Sequence, residues 1–358
     1  MKSLDLNKSV IKSKVKPYLA IDIGSSYTKL LVYDNSQHRS RFICSAIGPT
    51  PKDTLVNKCV TKPEVLGAYI RELMIRNNIS ATEVVFALPS NAVFVKKIQT
   101  TNSSIKDLTD NLKFEAANYI PHSIDDVYLD FQVLKSLGKG SNEVLLVAAK
   151  KEVVDGYLKT MEKAKLETII VDVDAFALGN TYENSYQDKS TTLATIAIGQ
   201  RNSIINIISN GDFVYNGEIS IGTKNYSDAL ITNLSLEQAQ AEEKLKNIDG
   251  EDSQVKEIIE QVHQKVSDEI CSQVSFFWTS SGIDNTISKI CITGGGAKIE
   301  GLKEAIAAKS GIACDLIKPF KGVDNLPSSS SLLSSEDLFS IVSGLALRKL
   351  GDKSNRTN

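Results

Sequence analysis

No two of the five cysteines, at positions 44, 59, 271, 291 and 314, are spaced as C-x-x-C, and the three histidines form no cluster beside them. That argues against zinc sites and disulfide frameworks alike and suits a reducing cytosol. Long hydrophobic runs are missing too: none approaches the roughly 18 to 20 apolar residues that a membrane-spanning helix needs. The opening MKSLDLNKSVIKSKVKPY carries charge without a following apolar core, which excludes a signal peptide and places the chain on the cytoplasmic side. Charge of one sign is not in excess either. A net charge of -2 gives no global pull toward nucleic acid or acidic lipid.

What is present is ordinary globular material, 42% apolar and 23% charged over 358 residues, enough for two domains or one bilobed unit with a sizeable core. Residues 1–16 hold five lysines and one aspartate, the make-up of a solvated flexible arm, with docking to a partner or membrane surface as its other use. After Pro17, YLAIDIG and YTKLLVYD are β-branched runs around a Gly-Ser-Ser turn and predict a hairpin, with SRFICSAIG as a third strand. TKPEVLGAYIRELMIRNN predicts a helix capped by Thr61 with Val65, Leu66, Tyr69, Ile70 and Leu73 on its apolar face. EVVFALPS reads as a buried strand. From Asn91 to about Leu166 a strand, helix, strand, strand, helix pattern, with IKDLTDNLKFEAANYI as its first helix, stands between two halves of something else.

Those halves are visible because Thr192 to Gly211, TLATIAIGQRNSIINIISNG, copies Tyr18 to Asn35 at a constant offset of 175 positions. Ile21 falls on Ile196, Gly24 on Gly199 and Thr28 on Ser203, whereas Asp22 falls on Ala197. Further on, Val255, Ile258, Ile259, Val262, Val266, Ile270 and Val274 make one apolar stripe, which packs a long helix onto its own domain or, less simply, into a coiled coil. ISKICITGGGAKIEGLKEAI predicts a strand, three glycines and a helix. The serine-rich NLPSSSSLLSSED reads as a flexible loop before a closing helix, and 352–358 as a frayed tail.

The candidate chemistry lies at the turns. In the run from Asp22 to Lys29, Gly24 permits a tight backbone approach, Ser25, Ser26, Tyr27 and Thr28 can supply donors, and Lys29 can neutralise phosphate oxygens. Asp22 at the strand end is the hard carboxylate a hydrated magnesium ion would need. Alone, such a stretch is also a plain hairpin turn with a structural aspartate; the second copy, Gly199, Gln200, Arg201, Asn202 and Ser203, makes a two-sided phosphate clamp. Gly294, Gly295 and Gly296 allow close approach of a sugar or planar group and, opening a helix, would set its N-terminus beside negative charge. They are no G-x-G-x-x-G fingerprint, so a dinucleotide dehydrogenase is disfavoured. Asp172 and Asp174, two apart on one strand end, face the same way, so one could orient an attacking water; Asp174 also reads as a helix N-cap. Ala197 can neither ligate a metal nor orient water, which points to binding over hydrolysis.

Two phosphate hairpins, an acidic strand end and a late triple glycine together resemble the actin-like ATPase superfamily, which includes actin, sugar kinases, heat-shock chaperones and FtsA. ALPSNAVFVKKIQ, FEAANYIPHSIDDVYLDFQVL, VAAKKEVVDGYLKTMEKAKLETIIVDVDAFAL, ISIGTKNYSDALITNL and GLALRKLG carry a closer resemblance, to the PilM family of type IV pilus assembly, from Tyr18 to Gly351. The resemblance implies an α/β fold of two lobes around a nucleotide cleft: a first lobe from 17–83, 169–191 and 330–351, an inserted subdomain at 84–168 and a second lobe at 192–329. It implies ATP with Mg2+ as cofactors, held by the loops Asp22–Lys29 and Gly199–Ser203, by Gly294–Gly296 with Lys298, and by Glu243 and Lys246 at ribose and adenine, with Asp172 as the catalytic candidate. It further implies a PilN-like membrane protein whose cytoplasmic N-terminal peptide docks between first lobe and insert, contact with pilus motor ATPases, and peripheral attachment to the inner membrane, with a homo-oligomer left open. An active ATPase and an FtsA-like filament are the alternatives. The latter would need an amphipathic membrane helix that DKSNRTN cannot supply.

Overall fold

A computed structural model describes residues 17–349 apart from 37–38, 102–110, 112–113, 122, 139, 187–190, 251, 281–285 and 328–329. The basic arm, the tail and half of the helix expected over 105–120 therefore lie outside the described residues. Two five-stranded sheets dominate. The first has β1 (Leu19–Ile23) at its centre, β2 (Tyr27–Asp34) and β3 (Arg41–Pro49) on one side and β6 (Glu83–Leu88) and β10 (Glu167–Val173) on the other. In the second, β11 (Thr192–Ile198) is central, with β12 (Ser203–Ser209) and β13 (Asp212–Ile219) to one side and β14 (Lys289–Thr293) and β15 (Cys314–Leu316) to the other. Each sheet is thus an antiparallel three-stranded meander extended by two parallel strands. The 175-residue offset is a repeat of topology as well as of sequence.

Alternation along the central strands sets what each face meets. Leu19, Ile21 and Ile23 enter a core with α1 (Pro63–Arg76) and α2 (Lys151–Lys163), while Ala20 and Asp22 turn to the opposite face. In the second sheet Ala194, Ile196 and Ile198 face α4 (Lys224–Leu234), α6 (Ser253–Ser280) and α7 (Leu302–Ser310), a shorter α5 (Gln238–Lys244) closing that core, and Leu193 and Ala197 face inward. Between the sheets lie α3 (Asp174–Tyr186) and α8 (Ser340–Ala346). The apolar stripe from Val255 to Val274 is wholly buried on its own lobe, so the intradomain reading of that helix holds. No helix among the described residues is long and apolar enough to cross a membrane.

Three boundaries differ from the sequence reading. The insert is a separate three-stranded sheet, β7 (Val93–Thr100), β9 (Ser141–Lys150) and β8 (Val127–Gly138) in that order, with its own small core. β6 and α2, assigned to the insert over 84–168, belong instead to the first lobe: β6 pairs with β1 and β10, and Tyr157 and Met161 pack beneath it. An all-apolar strand such as EVVFAL reads identically whichever sheet it joins. The chain also leaves the second lobe before 329, since Phe320 and Val323 pack in the first-lobe core and Asp324 exchanges backbone bonds with Ser40 and Phe42. Finally, the N-cap of α1 is Lys62, with no side-chain cap, while the Thr61 hydroxyl donates to Asp53 and Val65 is exposed.

Candidate functional site

The β1–β2 and β11–β12 turns meet across one cavity of about 300 Å³. They are built alike. Gly24 N–H donates to Tyr27 O at 3.0 Å, and at the same register Gly199 N–H donates to Asn202 O at 3.1 Å. The second tip is anchored by α4, whose Thr223 and Lys224 amides donate to the carbonyls of Gly199 and Gln200. Ser25, Ser26 and Tyr27 from one tip and Gln200, Arg201 and Asn202 from the other line the cavity with Gly294 and Gly295. Gly294 has φ +85°, and a Cβ there would sit 2.5 Å from Ile198 O, so the third loop crosses the end of β11 only because it is glycine.

Several expected residues sit elsewhere. Thr28 and Ser203 alternate away from the cavity: the Thr28 hydroxyl meets Thr50 at 3.0 Å, and Ser203 Oγ donates to Ile221 O at 2.7 Å. Gly296 packs on Ile198. The three glycines do not open an α-helix; they lead into a 3-10 turn, Gly295–Lys298, and α7 begins only at Leu302, which removes the helix terminus expected at this point. Lys298 pairs with Asp337 at 3.6 Å on the rim of a more open hollow that shares Gly295 and Thr223 with the main cavity. Lys246 reaches that rim, whereas Glu243 lines neither space; the two form an exposed ion pair with each other.

Asp172 is misplaced as a catalytic residue. It lies outside the cavity, buried against Arg348 with its Oδ2 3.0 Å from the guanidinium, and its Oδ1 accepts from the Val173 amide. Asp174 is the aspartate that reaches the cleft, because the chain passes from strand to helix between the two and their side chains cease to be parallel. Nor does Asp174 act as a simple cap. Its Oδ1 accepts the amides of Ser90, at 3.0 Å, and Ala175, at 2.8 Å, together with the Ser90 hydroxyl. Burial pushes its pKa up to about 6, against the lowering pull of Lys58 and Ser90.

Asp22 lines the cavity with its Oδ2 2.9 Å from Lys29 Nζ, and both side chains are only 11% exposed. The described residues contain no cluster of three His, Cys, Asp or Glu side chains able to hold a metal ion. A protein cage for magnesium therefore does not fit. At the corresponding place in the second sheet, Ala197 faces Ile204, so both members of the ion pair are replaced by apolar residues. The offset that sets Asp22 on Ala197 also sets Lys29 on Ile204; the strand register adds that the two residues of each pair face one another.

Lys58 escaped the sequence reading. It sits on the short hairpin of β4 (Leu55–Val56) and β5 (Cys59–Val60), and its ammonium joins Glu218 of β13 and approaches Asp174 to 3.8 Å. No motif marks it, since Asn57-Lys58 lacks the glycine of the usual two-residue hairpin signals.

Across residues 20–350 the sequence matches the family described as type IV pilus assembly protein PilM. The chain belongs to the PilM family. A solved PilM-PilN type IV pilus biogenesis complex is similar to it at 25% identity and TM-score 0.81, covering 92% of this chain and 98% of that one. The ethanolamine utilization protein EutJ from Carboxydothermus hydrogenoformans matches at 14% identity and TM-score 0.57, over 93% of this chain and 89% of its own. MreB 5 of Spiroplasma citri bound to AMPPNP matches at 12% identity and TM-score 0.55, over 95% and 98%. These last two show the fold alone, and that fold is the actin-like ATPase fold. PilM membership and the repeated sheets thus agree on a two-lobed frame with a cleft between its hairpins.

Proposed function

We propose that the chain is an ATP-binding scaffold of the type IV pilus assembly machinery, and that it hydrolyses its nucleotide weakly or not at all. The observation that carries this reading is the unequal clamp: two equivalent hairpin tips face one cavity, one backed by Asp22 and Lys29 and the other by Ala197 and Ile204. Phosphates fit the glycine turns and their donors. Magnesium would be carried by the phosphates and water, consistent with its reluctance to dehydrate, with Asp22 contributing from beneath its pair with Lys29. Ala197 leaves the second strand end without the acid that could activate an attacking water.

A solved relative is a PilM-PilN complex, and the same association is proposed here: a PilN-like membrane protein holds this chain at the inner membrane from the cytoplasmic side. The junction of insert and first lobe suits a peptide. There Tyr128 on the edge strand β8 is half exposed, bonded to Asp155 of α2 at 3.0 Å and flanked by Lys151. Nucleotide state could then pass from cleft to pilus motors through that partner. One observation favours an active ATPase instead, the elevated pKa of Asp174 in the cleft, which suits a general base. Calorimetric titration with ATP and magnesium, a turnover assay, and capture of a PilN-like N-terminal peptide together test the reading. Binding of both ligands with negligible turnover is expected; brisk turnover abolished by Asp174→Asn would favour the enzyme.

A further inference from the structure

At the tip of the β4–β5 hairpin, Asn57 and Lys58 both have positive φ, 49° and 64°. Two successive left-handed residues make a type I′ turn, ordinary for Asn57 but held by a lysine only where its surroundings enforce it. Tyr157 supplies that enforcement: its hydroxyl donates to Lys58 O at 3.0 Å while its ring stacks on Phe86. The lysine side chain therefore leaves the turn in a set direction, into the cavity shared by both phosphate hairpins.

There it binds two carboxylates of different kinds. Asp174 is fixed by Ser90 and Ala175 within the first lobe. Glu218 belongs to the second lobe and is also held by Asn91 of the first, at 3.1 Å, and by Asn202 of the second hairpin tip. One carboxylate thus ties the turn after β6, the β4–β5 hairpin and the second phosphate tip together across the mouth of the cleft. Burial pulls the Lys58 pKa down, but Asp174, Glu218 and Asp22 more than offset it, so the ammonium stays charged.

Resting on the nucleotide-binding reading above, we propose that Lys58 is the residue by which the cleft distinguishes a nucleoside triphosphate from a diphosphate, its ion pair with Glu218 being the contact that the terminal phosphate displaces. Lys29 is committed to Asp22, whereas Lys58 can exchange a carboxylate of the opposite lobe for a more highly charged phosphate. A diphosphate, one phosphate shorter, leaves the Lys58–Glu218 tie in place. The exchange frees Glu218, so the two nucleotides favour different degrees of contact between the lobes.

The test is calorimetric titration of the full chain with magnesium-ADP and with magnesium-AMPPNP, alongside thermal melts. Lys58→Met is expected to lower the preference for the triphosphate at least about tenfold, a change of about 1.4 kcal/mol. Glu218→Gln, which frees the ammonium but keeps an amide for Asn91 and Asn202, is expected to raise that preference. An unchanged ratio in Lys58→Met, whether both affinities fall together or neither moves, overturns the proposal. Should that variant fail to fold, an unchanged ratio in Glu218→Gln overturns it equally. If the wild-type chain binds neither nucleotide, the nucleotide reading fails and this inference falls with it, an outcome distinct from equal binding of both.

Discussion

The two hairpins share a backbone and differ in what stands behind it. In the first lobe the strand ends present Asp22 opposite Lys29; in the second, at the same register, Ala197 faces Ile204. Both glycine turns close with the same amide-to-carbonyl bond, and both tips line the same cavity. A clamp can therefore keep its shape while losing its charge on one side. Geometry holds a phosphate chain; the charge arrangement decides whether anything further happens to it.

The largest effect should come from making the first hairpin resemble the second. Asp22→Ala leaves Lys29 charged and nearly buried without its partner, and should cost about 3 to 5 kcal/mol in urea unfolding. Adding Lys29→Ile reproduces the Ala197–Ile204 pair and should restore most of that loss, because a buried ion pair and a well-packed apolar pair are of similar worth. Nucleotide affinity should not return with it. If the double variant binds ATP as wild type does, the first hairpin's charge is structural and the two halves of the clamp are equivalent.

A second, smaller contrast concerns the glycines. A Cβ at Gly199 would lie 2.7 Å from the backbone oxygen of Asn202, and only a shift of the turn can relieve that. At Gly24 the nearest atoms are the end of Lys29, at 2.9 Å, and Tyr27 O at 3.0 Å. Gly199→Ala should therefore cost about 1 to 3 kcal/mol, as overpacking does, and Gly24→Ala less, with its harm falling on the Asp22–Lys29 pair and on nucleotide affinity. Denaturant unfolding and calorimetry read the two losses separately. Equal stability losses would mean that the two turns are held alike and that the contrast in close contacts carries no weight.

How much of this could be read beforehand follows from the kind of signal each feature leaves. The repeat was legible because strand periodicity and a glycine turn are local, and the offset of 175 made the missing acid visible. The long helix was legible for the same reason: its stripe from Val255 to Val274 is buried as the spacing requires. Family resemblance supplied the lobes and the cleft. What it could not supply was which of two aspartates two residues apart faces inward, since that depends on where β10 ends and α3 begins. Asp174 faces the cleft, while Asp172 turns to Arg348. Lys58 and Glu218 lie 160 residues apart and meet only because two lobes close on each other, a contact with no local signature.

The smallest effect is on pH, where two buried groups, one facing the cleft and one deep in the second lobe, oppose each other. Asp174 has its pKa raised from 3.8 to about 6, so between those values the native chain keeps a proton that the unfolded chain has released. Stability from this group therefore falls as pH rises through that window. His263, in the second lobe, is held below 6.5 by burial, against the raising effects of the Glu300 carbonyl, Glu260 and Glu304; its ring lies between the Tyr226 hydroxyl and Glu300 O, each at 2.9 Å. As pH falls below 6.5 the unfolded chain takes up a proton that the native ring resists, so stability falls in the other direction. In wild type the two slopes partly cancel. Asp174→Asn should leave melting temperatures that climb with pH up to about 6.5, and His263→Gln should leave them falling toward about 6, each by about 1 to 2 °C for every kcal/mol involved. Melts of the three proteins across this range decide the point. If both variants keep the wild-type profile, neither buried group titrates in folding, and the charge contrast between the lobes is confined to the hairpins.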